Sequence, residues 1–168
     1  DWYSRGMYMQ GHPQYEYHLQ HYGHPSEYGY KDLCNDWVID KWDPDELMKL
    51  YIDMGARYFV AMGNHHDNFD CWDSEYQPWN SVNVGPQQDI VGIWKKTADR
   101  YDMPFGIGFH ATPARTYGQF MTVRYGSDRT GQYEGVPYDA MLTEEDGKGK
   151  WWDGLDPVDL YGPVHHDG

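Results

Sequence analysis

The sequence predicts an α/β fold in which helices alternate with parallel strands. Two segments, 43–63 and 89–110, each contain a helical apolar pattern that is followed at once by a short apolar run. Helix and strand units that repeat in this order pair their strands in parallel through right-handed crossovers. At 168 residues the chain is long enough for one ordinary domain. It is short for a complete barrel, which needs about 250 residues.

The first segment begins with the strongest helix signal in the chain. Asp43 suits the N-cap position and Pro44 the first helical position. Apolar side chains then recur at helical spacing and predict one buried face, formed by Leu47, Leu50, Tyr51 and Met54. Gly55 ends the helix, and the run 57–63 (RYFVAMG) predicts a strand that is buried on both faces.

The second segment repeats this order. Asp89 caps a predicted helix whose shared apolar face consists of Ile90, Ile93, Trp94 and Ala98. The run 105–110 (FGIGFH) then predicts a second strand that ends at His110. Outside the two segments the regularity is lost. Residues 2–30 predict a long loop with one short helix, and turn residues dominate beyond Ala111.

Composition excludes some partners and favours others. The net charge of −14 repels phosphate backbones and anionic lipids, so neither nucleic acid nor a membrane is an expected partner. The 16 Tyr and 8 Trp exceed what a core of this size needs. Such rings are typical of sites that bind sugars or other flat ligands. Cys34 and Cys71 match no zinc motif, and either a disulfide or two buried thiols is compatible with the sequence.

Histidines follow both predicted strands. His65 and His66 follow the first strand and His110 follows the second. Ligands of parallel α/β proteins bind beyond the carboxyl ends of the strands, so these positions favour a site. The imidazoles could bind a metal ion, bind sugar hydroxyls or fill a turn, although the spacing of zinc motifs is missing. Three rings are available to stack on a sugar: Trp2, Trp72 and Trp79.

The stretch 58–92, which contains GNHHDNFDCW, resembles the core of the α-L-fucosidases of glycoside hydrolase family 29. The segments 1–8 (DWYSRGMY), 22–33 (YGHPSEYGYKDL) and 41–59 (KWDPDELMKLYIDMGARYF) resemble the same family. The resemblance implies a partial (β/α)8 barrel that holds only the N-terminal βα units. It also implies the release of α-linked L-fucose, with retention of configuration, from fucosylated oligosaccharides or glycoconjugates. It implies no cofactor and no bound metal, and a secreted, periplasmic or lysosomal location.

The resemblance also implies roles for individual residues. His65 and His66 correspond to the paired histidines that bind fucose hydroxyls. Asp1 and Trp2 correspond to a Glu-Trp pair that contacts the sugar, with Asp in place of Glu. Asp67 is expected to orient the loop or a histidine rather than to contact the sugar. His110 and Trp79 are further candidates for substrate contact.

No catalytic residue is assigned within the chain, because neither the nucleophile nor the acid/base of the family has a match. The acidic run 144–146 is interpreted as a solvated turn. Both carboxyl groups are therefore expected beyond residue 168, and this segment alone is expected to be inactive. The chain is treated as one incomplete barrel domain, divided into an active-site loop region (1–42), a helix and strand core (43–111) and a loop-rich insertion (112–168). Two alternative functions are a non-catalytic fucose-binding protein and a metal-dependent hydrolase that uses His65, His66 and His110.

Overall fold

A computed structural model describes residues 2–110 and 126–162 of the chain. These residues form two compact units. One unit, called the strand unit here, consists of residues 37–65 and 69–109. The other, called the loop unit, contains the described residues of 1–36, 66–68 and 110–168. No helix in the described part of the chain is long and apolar enough to cross a membrane.

The strand unit contains the predicted helix and strand repeat. Its elements are α4 (Pro44–Asp53), β1 (Phe59–Asn64), α5 (Ile90–Arg100) and β2 (Phe105–Phe109), and the strands pair in parallel. Both predicted caps are confirmed, since the Asp43 carboxylate accepts from the Glu46 amide at 2.9 Å and that of Asp89 from the Gly92 amide at 2.8 Å. The α/β class predicted from the sequence is therefore confirmed.

The core of the strand unit lies between the two helices and one face of the sheet. Met48, Ala98 and Met103 are buried at its centre. Phe59 of β1 stacks with Tyr51 at 5.7 Å between ring centroids. Helix α4 and strand β1 therefore meet through two rings that are close in sequence, whereas Met48 and Ala98 of the same core come from different helices.

Two expectations about burial in the strand unit are wrong. Leu50 and Met54 are 49% and 77% exposed, because α4 packs through the neighbouring stripe that contains Met48. In β1, Val60 and Met62 are 52% and 47% exposed, so the strand is not buried on both faces. Alternate residues of a strand point to opposite faces, and α4 and α5 pack on only one of them.

The loop unit is more helical than the sequence predicts. The expected loop with one short helix contains three helices, α1 (Tyr3–Gly6), α2 (Pro13–His21) and α3 (Tyr30–Asp36). The start of α2 has a local cause, since the His12 ring accepts from the Gln14 amide and Pro13 occupies the first turn. Helix formation by aromatic residues here is favoured by side-chain packing rather than by propensity.

The C-terminal part of the loop unit consists of short elements. Two 3-10 helices, Asp139–Met141 and Glu144–Gly147, precede helix α6 (Pro157–Tyr161). The second 3-10 helix carries a capping box, in which Asp146 accepts from the Thr143 amide at 2.8 Å. These hydrogen bonds lower the pKa of Asp146. The acidic run 144–146 therefore forms an exposed helical turn.

Candidate functional site

The loop that carries the histidine pair leaves the end of β1 and returns to the strand unit. The Asn64 side chain donates to Asp70 at 2.6 Å, and both residues are buried. The Cys71 amide donates to the Gly63 carbonyl at 2.8 Å. His65 is half-buried and follows β1 directly, as the sequence predicts. These bonds close the base of the loop within the strand unit.

The middle of the loop, residues 66–68, belongs to the loop unit. Asp67 forms a side-chain hydrogen bond with Tyr30, the first residue of α3. Burial raises the pKa of Tyr30 well above its ordinary value, and the nearby Cys34 and Asp67 raise it further. Asn68 is buried with a positive φ of 61°, and its side chain contacts α6. Two separate helices of the loop unit therefore hold this segment.

Three aromatic side chains of the loop unit come together beside this segment. The ring centroids of Trp2 and His66 are 6.2 Å apart, and those of His66 and His110 are 5.3 Å apart. Trp2 is 52% exposed, His66 is half-buried and His110 is exposed. We call these three residues the indole–imidazole cluster. It offers an apolar ring beside nitrogen atoms that can donate or accept hydrogen bonds.

The indole of Trp2 has one further neighbour. The guanidinium carbon of Arg5 lies 5.8 Å from the centre of the Trp2 ring. Trp2 caps the short helix α1 and Arg5 lies within it, so the helix geometry brings the cation next to the ring. A cation in this position is attracted by the electron-rich face of the ring.

The remaining candidates from the sequence lie elsewhere. Trp79 is fully buried in the strand unit, so its ring is part of the interior. Trp72 is half-buried and meets Phe109 edge-on, with ring centroids 5.3 Å apart. Asp1 lies outside the described residues. Of the predicted site residues, the structure thus brings Trp2, His66 and His110 together in one unit.

Sequence reasoning missed the carboxylates that support the loop unit. Asp139 is 1% exposed and accepts from Tyr8 at 2.8 Å and Tyr161 at 2.6 Å. Burial raises its pKa, although the neighbouring Lys31 acts in the opposite direction. No spacing rule could have identified Asp139, because its partners are 131 and 22 positions away in the chain.

A second buried carboxylate, Asp128, has the same kind of surroundings. It accepts from Tyr138 at 2.9 Å and also from Tyr15. His24 is fully buried, with its Nε2 3.5 Å from Asp128. The hydroxyl groups around both carboxylates explain part of the high tyrosine content, since they satisfy buried charge.

Some of the remaining rings pack around α2. His18 is fully buried and has a hydrogen-bond partner on each ring nitrogen. The Tyr3 hydroxyl lies 3.0 Å from its Nδ1, and the Tyr28 carbonyl oxygen lies 2.8 Å from its Nε2. Burial lowers the pKa of His18. Burial also raises the pKa of Tyr3 to about 12. This histidine therefore serves as a neutral packing group.

Metal binding needs ligands of the right chemistry. His66 and His110 of the indole–imidazole cluster are competent nitrogen ligands for zinc or another transition metal. His66 and His110 supply two of the three or four protein ligands that a zinc site needs, and His65, the third histidine of the metal-dependent alternative, follows β1 in the strand unit. The same nitrogen atoms can form hydrogen bonds with a polar ligand, so the geometry is compatible with both a metal ion and a sugar.

Comparison with known proteins gives one family. The family model described as alpha-L-fucosidase matches residues 1–152. Human tissue alpha-L-fucosidase is 33% identical over 107 residues, which cover 63% of this chain and 22% of the human protein. The alpha-L-fucosidase of Dictyostelium discoideum is 30% identical over 92 residues, which cover 54% of this chain and 20% of that protein. The chain thus spans about a fifth of the length of these relatives.

Solved structures agree with the sequence matches. The Thermotoga maritima alpha-fucosidase in complex with fucose superposes with a TM-score of 0.61 and 32% identity, over 64% of this chain and 25% of that chain. A second structure, described as alpha-L-fucosidase, covers 96% of this chain and 34% of its own, with a TM-score of 0.62 and 26% identity. Because the family match runs from residue 1 to residue 152 and includes the histidine pair, this chain belongs to the alpha-L-fucosidase family.

Proposed function

We propose that this chain is part of a retaining α-L-fucosidase, a glycoside hydrolase that releases α-linked L-fucose from oligosaccharides or glycoconjugates. Family membership supports the reaction, and the T. maritima relative solved with fucose supports the sugar. In this proposal the chain supplies the residues that hold the fucose ring. Strands β1 and β2 are then two of the eight strands of a (β/α)8 barrel.

The observation that carries the proposal is the indole–imidazole cluster. L-Fucose presents hydroxyl groups together with an apolar methyl group. A half-exposed indole such as Trp2 can cover the apolar part, and imidazole nitrogens can bond the hydroxyls. His66 lies next to both Trp2 and His110. One sugar ring can therefore reach all three side chains.

Two further residues complete the proposed contacts. His65 supplies a second imidazole of the histidine pair, and Asp1 accepts a hydrogen bond from a fucose hydroxyl. Both roles rest on the family resemblance of the segments around them. Trp79 is not included, because a fully buried ring has no face for a sugar.

The proposal assigns no catalytic carboxyl group to this chain. Retaining hydrolysis needs two carboxyl groups about 5 Å apart, one as nucleophile and one as acid/base. Asp139 and Asp128 are each bonded to two tyrosine hydroxyls. A carboxylate that is already paired in this way is a structural group. The chain's own chemistry is therefore to bind and orient the sugar.

The test is hydrolysis of an aryl α-L-fucoside by the protein at its natural full length. His66→Phe preserves a ring but removes both nitrogen atoms, and we expect kcat/KM to fall by about 100-fold. His21→Phe is the matched control, since His21 is an exposed ring of the same unit that stacks on Tyr17, and its kcat/KM should not change. The proposal fails if the unaltered protein hydrolyses no fucoside at any pH.

The two alternative functions give different results in the same assays. A non-catalytic fucose-binding protein would bind fucose in calorimetry without turnover of the aryl fucoside. A metal-dependent hydrolase would lose activity on chelation and recover it with a stoichiometric amount of a divalent ion. A protein that stays fully active after chelation contradicts the metal mechanism.

A further inference from the structure

Asn68 combines two features that do not often occur together. Its backbone has a positive φ of 61°, and its side chain is buried, with 8% of the residue exposed. The side-chain amide donates to the carbonyl oxygens of Asp159 at 2.8 Å and Leu160 at 3.0 Å. Both carbonyls belong to the last turn of α6. The carbonyls of a last turn have no partner within the helix, so Asn68 supplies donors that α6 itself cannot.

Two roles could explain an asparagine at this position. Asparagine tolerates a left-handed backbone better than most residues, so it could be present only for its conformation. Alternatively, its carboxamide could be needed to attach the loop to α6. The buried position and the two hydrogen bonds favour attachment, because a conformational role needs no contact at all.

We infer that Asn68 is a positioning residue that holds His66 in place against Trp2 by tying the loop segment 66–68 to the last turn of α6. The inference rests on the proposed function, because it assumes that His66 binds fucose. His66 lies only two positions from Asn68, so a shift of the segment moves its imidazole directly. Asp67 also bonds Tyr30, so we expect the segment to shift rather than to detach when the Asn68 side chain is removed.

A role in positioning predicts a specific change in binding. His66 is proposed to bond both the substrate and the product, fucose. Displacement of its ring therefore weakens the binding of both, so KM and the inhibition constant of fucose rise together. A shift of about 1 Å is enough to cost a large factor in a positioned site, and we expect about a tenfold increase in both constants.

The experiment compares substitutions that separate the two roles. Asn68→Gly tolerates the positive φ but removes the side-chain donors. Asn68→Asp has nearly the same shape but places a carboxylate against two carbonyl oxygens. Gln87→Gly is the matched control, because Gln87 also has a positive φ, of 52°, and is exposed. All are made in the full-length protein, and KM, kcat and the fucose inhibition constant are measured at one pH.

We expect N68G to raise KM and the fucose inhibition constant by about tenfold with a smaller change in kcat, and N68D to raise them at least as much. Q87G should match the unaltered protein. If N68G has the same constants as the unaltered protein, Asn68 is needed only for its backbone and the inference is overturned. If N68G does not fold, KM and the fucose inhibition constant are measured for Asn68→Ser instead. The serine side chain is too short to bond both carbonyls, so the same increase is expected, and unchanged constants overturn the inference. If the unaltered protein neither binds nor hydrolyses fucosides, the proposed function fails and the inference fails with it.

Discussion

Replacement of Asp139 by alanine should be among the most destabilising single changes in the loop unit. Its carboxylate is almost completely buried and lies 3.5 Å from the ammonium group of Lys31, which is also buried. The hydroxyls of Tyr8 and Tyr161 donate to its two oxygens. Among the described residues, alanine would leave the lysine ammonium with Asp32, at 2.5 Å, as its remaining ion-pair partner, and it would remove the carboxylate to which both hydroxyls donate.

The expected loss can be worked out from these contacts. A hydrogen bond to a charged group contributes about 1.5–3 kcal/mol, and there are two of them. Removal of one partner of a buried ion pair costs about 3–5 kcal/mol. These contributions overlap, because they concern the same carboxylate, so we expect D139A to lower the free energy of unfolding by about 3–5 kcal/mol. D139N keeps the volume and one acceptor, and should cost about 1–3 kcal/mol.

The same residue predicts a pH dependence. Burial raises the pKa of Asp139 above its unfolded value of 3.8. The folded protein therefore holds this proton more tightly than the unfolded chain does. The stability contribution is fully present below pH 3.8 and is lost as the pH rises through the folded pKa. The advantage of the unaltered protein over D139N should therefore decrease as the pH increases above this value.

Urea unfolding, followed by tryptophan fluorescence at several pH values, measures both effects. Asp99→Asn is the control, because Asp99 forms an exposed i,i+4 pair with Lys95 and its loss should have almost no effect. The reasoning is refuted if D139A unfolds within about 1 kcal/mol of the unaltered protein, well below the cost of a broken buried pair. If the free energy of unfolding depends on pH in the same way in D139N and in the unaltered protein, only the predicted pH dependence is refuted.

Three further predictions concern other elements. Met48→Ala should lower the free energy of unfolding, measured in urea, by about 2–5 kcal/mol, and Leu50→Ala by less than about 1 kcal/mol. Equal losses would contradict the observation that α4 buries the face with Met48. Asp89→Ala should cost about 1 kcal/mol by the same method through loss of the α5 cap, whereas no change would mean that the cap is dispensable. Burial lowers the pKa of His18, so its contribution to stability is present above pH 6.5 and is lost as the pH falls below this value. His18→Gln should remove this part of the pH profile, and an unchanged profile would contradict it.

The sequence was most informative where contacts are local. The caps of α4 and α5 depend on bonds between residues three positions apart, and both were predicted correctly. The order of helices and strands follows from apolar runs that can be read from one segment at a time. The parallel pairing then follows from a general rule about crossovers. No contact between distant residues was needed for any of these predictions.

The sequence failed where burial depends on which neighbours are present. Met48 and Leu50 are similar in apolar character, but Met48 is buried in a cluster with Ala98 of α5 and Met103, whereas Leu50 is half exposed. The alternation of exposure in β1 has the same cause, since an apolar run indicates a strand but not how many of its faces are covered. The helices of residues 2–36 were missed because their aromatic side chains contact residues that lie far away in the chain, as Tyr15 of α2 does with Asp128.

The candidate site shows both limits at once. The position of the histidines after β1 and β2 follows from the strand pattern, but their support does not. Asn68 bonds carbonyls that are 91 and 92 positions further along the chain. An NHHDN motif can therefore indicate where the imidazoles and Asn68 are, while the carbonyls that Asn68 bonds come from a helix with no motif of its own. On the proposed function, substitutions in α6 that displace its last turn should raise the inhibition constant of fucose, although α6 contributes no residue to the indole–imidazole cluster.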